Sequence, residues 1–593
     1  MILAGAGSGK TRALTHRIAY LIKEKKVSPF NILAITFTNK AAEEMISRMS
    51  KLMGREVRLP WMGTFHRQCV KILRKELNHT DFGFTSSFII YDEQDSISAI
   101  KQALKELKLD LKKHNPSGIA GFISGAKAEL VTAEDYPQYA AGYFQKKVAE
   151  VYPIYQRILK QANALDFDDL LMVTVQMFKR YGEILKKYQQ LFQYILVDEY
   201  QDTNQAQYEL IHLLAAAHRN IFCIGDDWQA IYSFRGANFR NIINFEKDYP
   251  NAKLIRLEQN YRSSKTIVEA AQNIIVKNLL RSDKKLWTLN PEGPPVSLVE
   301  CRDERDEAEF VASEIQSIHR ALKLALKNFV VLYRTNAQSR ALEEVCLEHG
   351  LPYRIVGGFK FYERREVKDM LGYLRLVVNP NDQVSLQRVI NVPPRGIGPA
   401  VLAELSFEPL SVKHPKIADF WDLLSEFRTY AKTHDPAQLI DHIFKKTGYD
   451  QWLDDGTEQG LSRIENVKEL KTVAKQASSL EDFLAQVALV QEIDNWDPHE
   501  DALTLMTLHN AKGLEFPVVF IAGMEEGLFP HSRSITEPDQ LEEERRLCYV
   551  GMTRAMDRLY LIYARRRKVF GTIALGIRSR FVDDVPAELA TII

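Results

Sequence analysis

Ala4-Gly5-Ala6-Gly7-Ser8-Gly9-Lys10-Thr11 opens the chain and decides how the rest of it is read. The spacing fits the phosphate-loop pattern, with Ala at the first position in place of Gly. The glycines let successive backbone N–H groups turn inward around phosphates. Lys10 brings a point charge to the β- and γ-phosphates, and Thr11 offers a hydroxyl to Mg²⁺. Leu14, Ile18, Leu21 and Ile22 then recur at helical spacing, so the loop feeds a helix N-terminus whose dipole favours anions. A chance glycine turn is the alternative, and the helix directly behind the loop argues against it. Only Ile2 and Leu3 precede the turn, where a buried strand usually takes about five or six residues. Either the first strand is a stub or the natural start lies upstream.

The remaining composition sets the scale. At 593 residues the chain has length for about four domains. With 46% hydrophobic and 26% charged residues it is neither disordered nor fibrous. Seventy-eight Lys+Arg against 77 Asp+Glu leave a formal +1, which excludes a uniformly basic coat; any nucleic-acid contact must come from local patches. Cys69, Cys223, Cys301, Cys346 and Cys548 lie far apart with no C-x-x-C pair. That argues against a zinc site or a disulfide framework and suits a reducing cytosol. No apolar run is long enough to span a membrane, and the N-terminus lacks the pattern of a secretory signal. The expectation is a soluble, multidomain, cytoplasmic protein.

A phosphate loop needs a second strand carrying carboxylates. Tyr194-Ile195-Leu196-Val197-Asp198-Glu199 is an apolar run ending in two acids. Asp198 is expected to hold the metal shell and Glu199 to orient or deprotonate the attacking water; a solvated acidic turn is the alternative. Asp198 lies 188 residues beyond Lys10, more than a compact nucleotide-binding sheet needs, so an inserted sub-domain is expected between them.

Short apolar runs of the parallel-strand kind occur at Ile32–Phe37, Ile195–Val197, Ile221–Ile224 and Leu254–Leu257. A second set follows at Val330–Tyr333, Val518–Ile521 and Leu559–Tyr563. The stretches from about 89 to 190 and 357 to 500 read as mostly helical. The expected fold class is α/β, with two lobes built on parallel sheets and a helical insertion in each. The first lobe spans 1–88 and 191–258 with its insertion at 89–190. The second spans 259–356 and 501–593 with its insertion at 357–500. Strand-end turns in the second set are rich in arginine and carboxylates. If the lobes face each other across a nucleotide, Arg262 and Arg554 reach the γ-phosphate as arginine fingers do; for either one alone, a surface ion pair is the alternative.

Further segments occur in order: Thr36-Phe37-Thr38-Asn39-Lys40-Ala41-Ala42, Gly63-Thr64-Phe65-His66, Val197-Asp198-Glu199-Tyr200-Gln201-Asp202 and Gly225-Asp226-Asp227-Trp228-Gln229-Ala230-Ile231-Tyr232. Leu257–Ser263, Leu505–Phe516 and Glu543–Ala555 complete the series. Together with the phosphate loop, these resemble the motifs of superfamily 1 DNA helicases of the UvrD/Rep/PcrA type, over nearly the whole chain. The resemblance implies two RecA-like motor lobes, ATP and Mg²⁺ as cofactors, and movement 3′→5′ along single-stranded DNA with unwinding at single-strand/duplex junctions, in DNA repair or replication. It further implies that Lys10 and Thr11 bind phosphate and Mg²⁺, that Asp198 holds the metal and Glu199 the water, and that Gln229, Arg262 and Arg554 sense the γ-phosphate. By the same resemblance, Tyr261 and Arg12 sandwich the adenine and Glu515 contacts the ribose side. Phe37, Thr38, Asn39, Thr64, Phe65, His66, Tyr232, Phe234, Arg235 and His509 resemble strand-binding positions. Aromatic faces there stack on bases without sequence preference, and hydroxyl and amide groups fix phosphates. For Phe37 and Phe65, core packing is the alternative, because both adjoin apolar runs.

Three features depart from the family or extend it. The family's glutamine-bearing segment ahead of the loop, which reads the adenine edge, has no counterpart among residues 1–3, leaving base preference open. Phe234 stands where many relatives carry tryptophan, which keeps a stacking face of smaller area. The chain ends at Ile593 soon after its last strand, so neither a nuclease domain nor a long partner-binding tail is expected. Within the second insertion, Arg395-Gly396-Ile397-Gly398 resembles the glycine turn of a helix-hairpin-helix, whose amides grip a duplex phosphate; a loop ending a helix is the alternative. Arg565-Arg566-Arg567-Lys568 reads as a solvated basic turn rather than a DNA contact. A translocase that strips proteins from single strands and unwinds little would use the same motor.

Overall fold

The structure is a computed structural model; it describes the chain apart from residues 55–57, 112, 357–359, 381, 398–414, 476, 485–486, 488–500 and 570–571. The chain forms two compact units, Met1–Pro291 and Glu292–Ile593.

In the first unit, strands β1 (Ile2–Ala4), β2 (Ile32–Thr36) and β3 (Met62–Thr64) alternate with helices α1 (Lys10–Lys23), α2 (Asn39–Met53) and α3 (Phe65–Glu76). Two short strands, β4 (Ile89–Tyr91) and β5 (Ala164–Asp166), pair with each other. β6 (Tyr194–Val197), β7 (Ile221–Gly225) and β8 (Ile255–Leu257) complete a six-stranded parallel sheet in the order β3-β2-β6-β7-β1-β8. β1 is indeed short, but it is paired on both sides, by β7 and β8.

Residue parity decides the layers, because successive strand side chains point to opposite faces. Leu33, Ile35 and Val197 face one core with α3 and a helix at Phe167–Arg180. Ile32, Ala34 and Leu196 face the other core with α1 and α2. A further apolar cluster, built from Ile100, Leu104, Ile119, Ile123, Val151, Tyr155 and their neighbours, serves the inserted helices. The helix Phe167–Arg180 lies within the predicted insertion, yet Leu170, Leu171, Val173 and Phe178 bury into the core of the sheet. The contiguous helical reading of 89–190 therefore joins two cores that packing separates.

The expected lobe boundary at 259 also falls inside the first unit. β9 (Gln259–Asn260) pairs with β10 (Trp287–Thr288), and Leu286 packs over Gly5 closely enough that a Cβ there would lie 2.2 Å from it. This segment closes over the phosphate loop, so the second unit starts only at Glu292.

The second unit carries β11 (Val296–Cys301), β12 (Phe329–Tyr333), β13 (Tyr353–Val356), β14 (Leu503–Thr507), β15 (Phe516–Ile521), β16 (Ala555–Ala564) and β19 (Ala590–Ile592), with the hairpin β17 (Arg566–Val569)–β18 (Thr572–Leu575). The large sheet is parallel, in the order β13-β14-β12-β15-β16-β11-β19. Its helical insertion has its own core around Met370, Leu374, Phe420, Phe427, Ile440 and Leu470. The basic run after β16 is a strand rather than a solvated turn. Arg567 is buried between Glu307 and Glu525, at 2.7 Å from each, and Arg565 and Arg566 pair with Glu300 and Asp303. No helix among the described residues is long and apolar enough to cross a membrane.

Candidate functional site

The phosphate loop leaves β1 and enters α1 with Gly7 at φ +65° and Gly9 at φ +86°, a left-handed backbone that other residues take up only at a cost. Among the described residues no side chain caps α1, which leaves its first amides open toward the loop. The loop is braced from outside. Asn260 Nδ2 donates to the Ala6 carbonyl at 2.8 Å, and the Tyr261 N–H donates to the Gly7 carbonyl at 3.0 Å. Asn260 Oδ1 in turn accepts the N–H groups of Arg262 and Ser263, at 2.8 Å each. Ser8 Oγ donates to the Gly5 carbonyl. Arg262 is thereby rooted beside the loop; a Cβ on Gly7 would lie 2.9 Å from Arg262 Cβ. Tyr261 is 65% exposed, and Arg12 is exposed in the first turn of α1.

Lys10 Nζ is buried without a hydrogen-bond acceptor among the described residues, and its nearest carboxylate, Glu199 Oε1, stands 3.5 Å away. A buried ammonium left this way suits a phosphate oxygen. The acids come from the end of β6, separated from β1 in the sheet by β7. The Asp198 N–H donates to the Ile35 carbonyl at 2.9 Å, and Glu199 sits at φ +49°, so the chain turns sharply between the two acids. Burial, and next the charge of Glu199, push the Asp198 carboxyl up to about 7. A divalent cation beside Asp198 would reverse that bias and favour its carboxylate form.

Gln201 and Asp226 were inside recognised motifs, but the sequence assigned them no role. Gln201 is fully buried; its Nε2 donates to Glu199 Oε2 at 2.5 Å, and its Oε1 accepts the Asp226 N–H at 2.9 Å. Gln229 Nε2 donates to Asp226 Oδ2 at 2.6 Å. The ends of β6 and β7 are thus tied into one polar network around Glu199 and Gln229.

In the second unit, Glu515 is exposed just ahead of β15, and His509 follows β14. Arg554 is buried. Its Nε donates to the Val550 carbonyl at 2.9 Å, and its Nη1 and Nη2 donate to the Leu514 carbonyl and Thr553 Oγ1 at 3.2 Å each.

The strand-binding candidates divide. Phe37 stacks on Tyr232 with ring centroids 5.7 Å apart and planes 7° from parallel, and Phe234, 44% exposed, lies 6.0 Å beyond Tyr232. His66 meets Phe167 edge-on at 5.7 Å; Phe167 is 53% exposed at the start of its helix and had no marker in the sequence beyond being aromatic. Burial holds the His66 imidazole below its ordinary range. Thr38 and Thr64 cap α2 and α3, accepting the N–H groups of Ala41 and Arg67. Phe65, by contrast, is 4% exposed inside the core with Leu33 and Val197, so for its ring the packing alternative holds. The side chains of Asn39 and Arg235 lie outside the described residues. Gly396 takes a left-handed turn at φ +72°, but the Arg395 and Ile397 amides donate to Asn391 Oδ1, at 2.7 and 3.3 Å, which occupies two of the amides expected to grip a phosphate. Gly398 lies outside the described residues.

Residues 1–250 match the model of the UvrD/REP helicase N-terminal domain, and residues 255–566 match that of the UvrD-like helicase C-terminal domain. The chain is 47% identical to proteins named ATP-dependent DNA helicase PcrA from Staphylococcus aureus (strain NCTC 8325 / PS 47) and from Staphylococcus epidermidis (strain ATCC 12228 / FDA PCI 1200). In each case the match runs over 619 residues, 99% of this chain and 84% of the relative.

Proposed function

From the premise that the chain belongs to the UvrD/REP helicase family, we propose that it is an ATP-dependent DNA helicase. In this reading it moves 3′→5′ along single-stranded DNA in the cytoplasm and opens duplex at single-strand/duplex junctions, in DNA repair or replication. The observation that carries the reading is the buried Lys10 ammonium, held 3.5 Å from Glu199 with no hydrogen-bond acceptor among the described residues.

Lys10 and the open amides of α1 hold the β- and γ-phosphates. Thr11 and Asp198 would hold Mg²⁺, which would draw off the charge that develops on the phosphates. Glu199, oriented by Gln201, positions the attacking water and takes its proton. Gln229, Arg262 and Arg554 respond to the γ-phosphate, and Arg12, Tyr261 and Glu515 hold the base and ribose. Phe37, Tyr232 and Phe234, with His66 and Phe167, offer unspecific stacking faces to single-stranded DNA.

The test compares ATP hydrolysis by wild type and Glu199→Gln with and without oligo-dT. Strong stimulation of wild type is expected, with a loss of about 100-fold or more in the variant and retained binding of a non-hydrolysable ATP analogue. A DNA-independent rate, equal in both proteins, would refute the reading. Duplexes with 3′ or 5′ tails then separate unwinding from translocation alone and fix polarity.

A further inference from the structure

Lys284 lies outside every recognised motif, yet it is fully buried against the end of the phosphate strand. Its Nζ donates to Asp226 Oδ1 at 2.6 Å, to Asp227 Oδ1 at 2.8 Å and to the Ala4 carbonyl at 3.2 Å. Those three bonds use all three ammonium protons. The ring of the buried Trp228 lies beneath, with its centroid 4.7 Å from Nζ. Burial works against the charge, but the two carboxylates outweigh it and keep the pKa above that of an ordinary lysine, so the group stays an ammonium.

The partners explain what the charge does. Ala4 begins the phosphate loop. Asp226 uses its other oxygen, Oδ2, to accept Gln229 Nε2 at 2.6 Å. Asp227 is fixed by Ser282, whose N–H donates to Oδ2 and whose hydroxyl donates to Oδ1, the oxygen that also accepts Lys284, at 2.6 Å each. One ammonium therefore connects the root of the phosphate loop to the amide of Gln229 through a single carboxylate. A buried ion pair is weak evidence for stability, since an apolar side chain of the same size packs without a desolvation cost. What lysine adds is direction: three bonds to three fixed acceptors.

We propose that Lys284 is a positioning residue of the hydrolytic site, setting Asp226, and through it the amide of Gln229, at a fixed place relative to the phosphate loop. The inference rests on the reading of Gln229 as a γ-phosphate sensor. Lys284 touches no phosphate in this scheme. It acts by holding Gln229 where charge develops, so its loss lowers turnover more than nucleotide binding.

The experiment measures kcat and KM for ATP at saturating oligo-dT, together with thermal unfolding, for Lys284→Met, Lys284→Met/Asp227→Asn, Gln229→Ala and Lys284→Met/Gln229→Ala. The Asp227→Asn pairing removes the carboxylate left surplus and spares the Asp226–Gln229 bond. The expected result is a fall in kcat of about tenfold or more in both Lys284 variants, with KM within about threefold. Adding Gln229→Ala should lower kcat by less than about a further twofold, because both changes disable one unit. Wild-type kcat in a folded Lys284 variant overturns the proposal, as does a loss that multiplies with that of Gln229→Ala. If neither Lys284 variant folds, the network is structural and the positioning role falls. If Gln229→Ala alone leaves kcat unchanged, the sensor reading is wrong and the proposal goes with it.

Discussion

Alanine replacements of Phe37 and Phe65, made singly, should fail in opposite ways. Both rings adjoin apolar strands, and both belong to segments that resemble strand-binding motifs. Phe65 lies at 4% exposure among Leu33, Ile35, Val197 and Cys69. Truncating it removes a buried ring and leaves a cavity, a loss of about 3–5 kcal/mol. Phe37 stands partly exposed, stacked on Tyr232. Losing it forfeits little burial, roughly 0.5–1.5 kcal/mol for the ring pair, but it removes a face worth about 1–3 kcal/mol per stacked base. That corresponds to single-strand binding weaker by roughly 5- to 150-fold. Urea unfolding and anisotropy titrations of labelled oligo-dT at one fixed salt concentration measure the two effects separately. Phe65→Ala should unfold earlier and, where folded, bind oligo-dT within about threefold of wild type; Phe37→Ala should bind weakly and unfold near wild type. A Phe65→Ala protein of normal stability with weakened DNA binding would refute the assignment of faces, as would a strongly destabilised Phe37→Ala with normal binding.

Two more outcomes follow from the geometry. In Gly7→Ala, the new Cβ would sit 2.7 Å from Asn260 Nδ2 and 2.9 Å from Arg262 Cβ at a φ of +65°; binding of a non-hydrolysable ATP analogue should weaken by about tenfold or more, while nucleotide-free binding of oligo-dT is unchanged. Because burial depresses the His66 pKa, the unfolded chain takes up its proton first as pH falls through about 6.5. The contribution of His66 is therefore intact above that pH and declines toward the folded pKa at up to about 1.4 kcal/mol per pH unit. His66→Gln should flatten the stability loss between pH 7.5 and 5.5, and an identical slope in the variant would remove this account.

The parallel strands at Ile32–Thr36, Tyr194–Val197, Ile221–Gly225 and Phe329–Tyr333 were legible because buried strands of this kind are near-continuous apolar runs. β3 and β14 were not read as strands. Met62–Thr64 is only three residues long, and Leu503–Thr507 is broken by two threonines among Leu and Met, a pattern that does not announce a buried strand. Of the nucleotide site, Lys10, Thr11, Asp198 and Glu199 could be read from short segments in which residue type and spacing carry the chemistry. Gln201 and Phe167 could not. Nothing local distinguishes a glutamine that joins two strand ends from one in solvent, or an aromatic that opens a helix outward from one that packs.

By itself the sequence determined the phosphate loop, the acid-bearing strand, the α/β class and the family, since each rests on residues close together in the chain, where backbone geometry converts spacing directly into direction. Tertiary structure decided the rest. It set Asn260 and Lys284 against a loop more than 250 positions earlier in the chain, moved 259–291 into the first unit, turned Phe65 inward and left Phe37 beside Tyr232, and folded Arg567 between two glutamates. These are choices of partner across long loops. They depend on which surfaces meet once two sheets and their insertions have each closed a core, and residue spacing along the chain does not encode that.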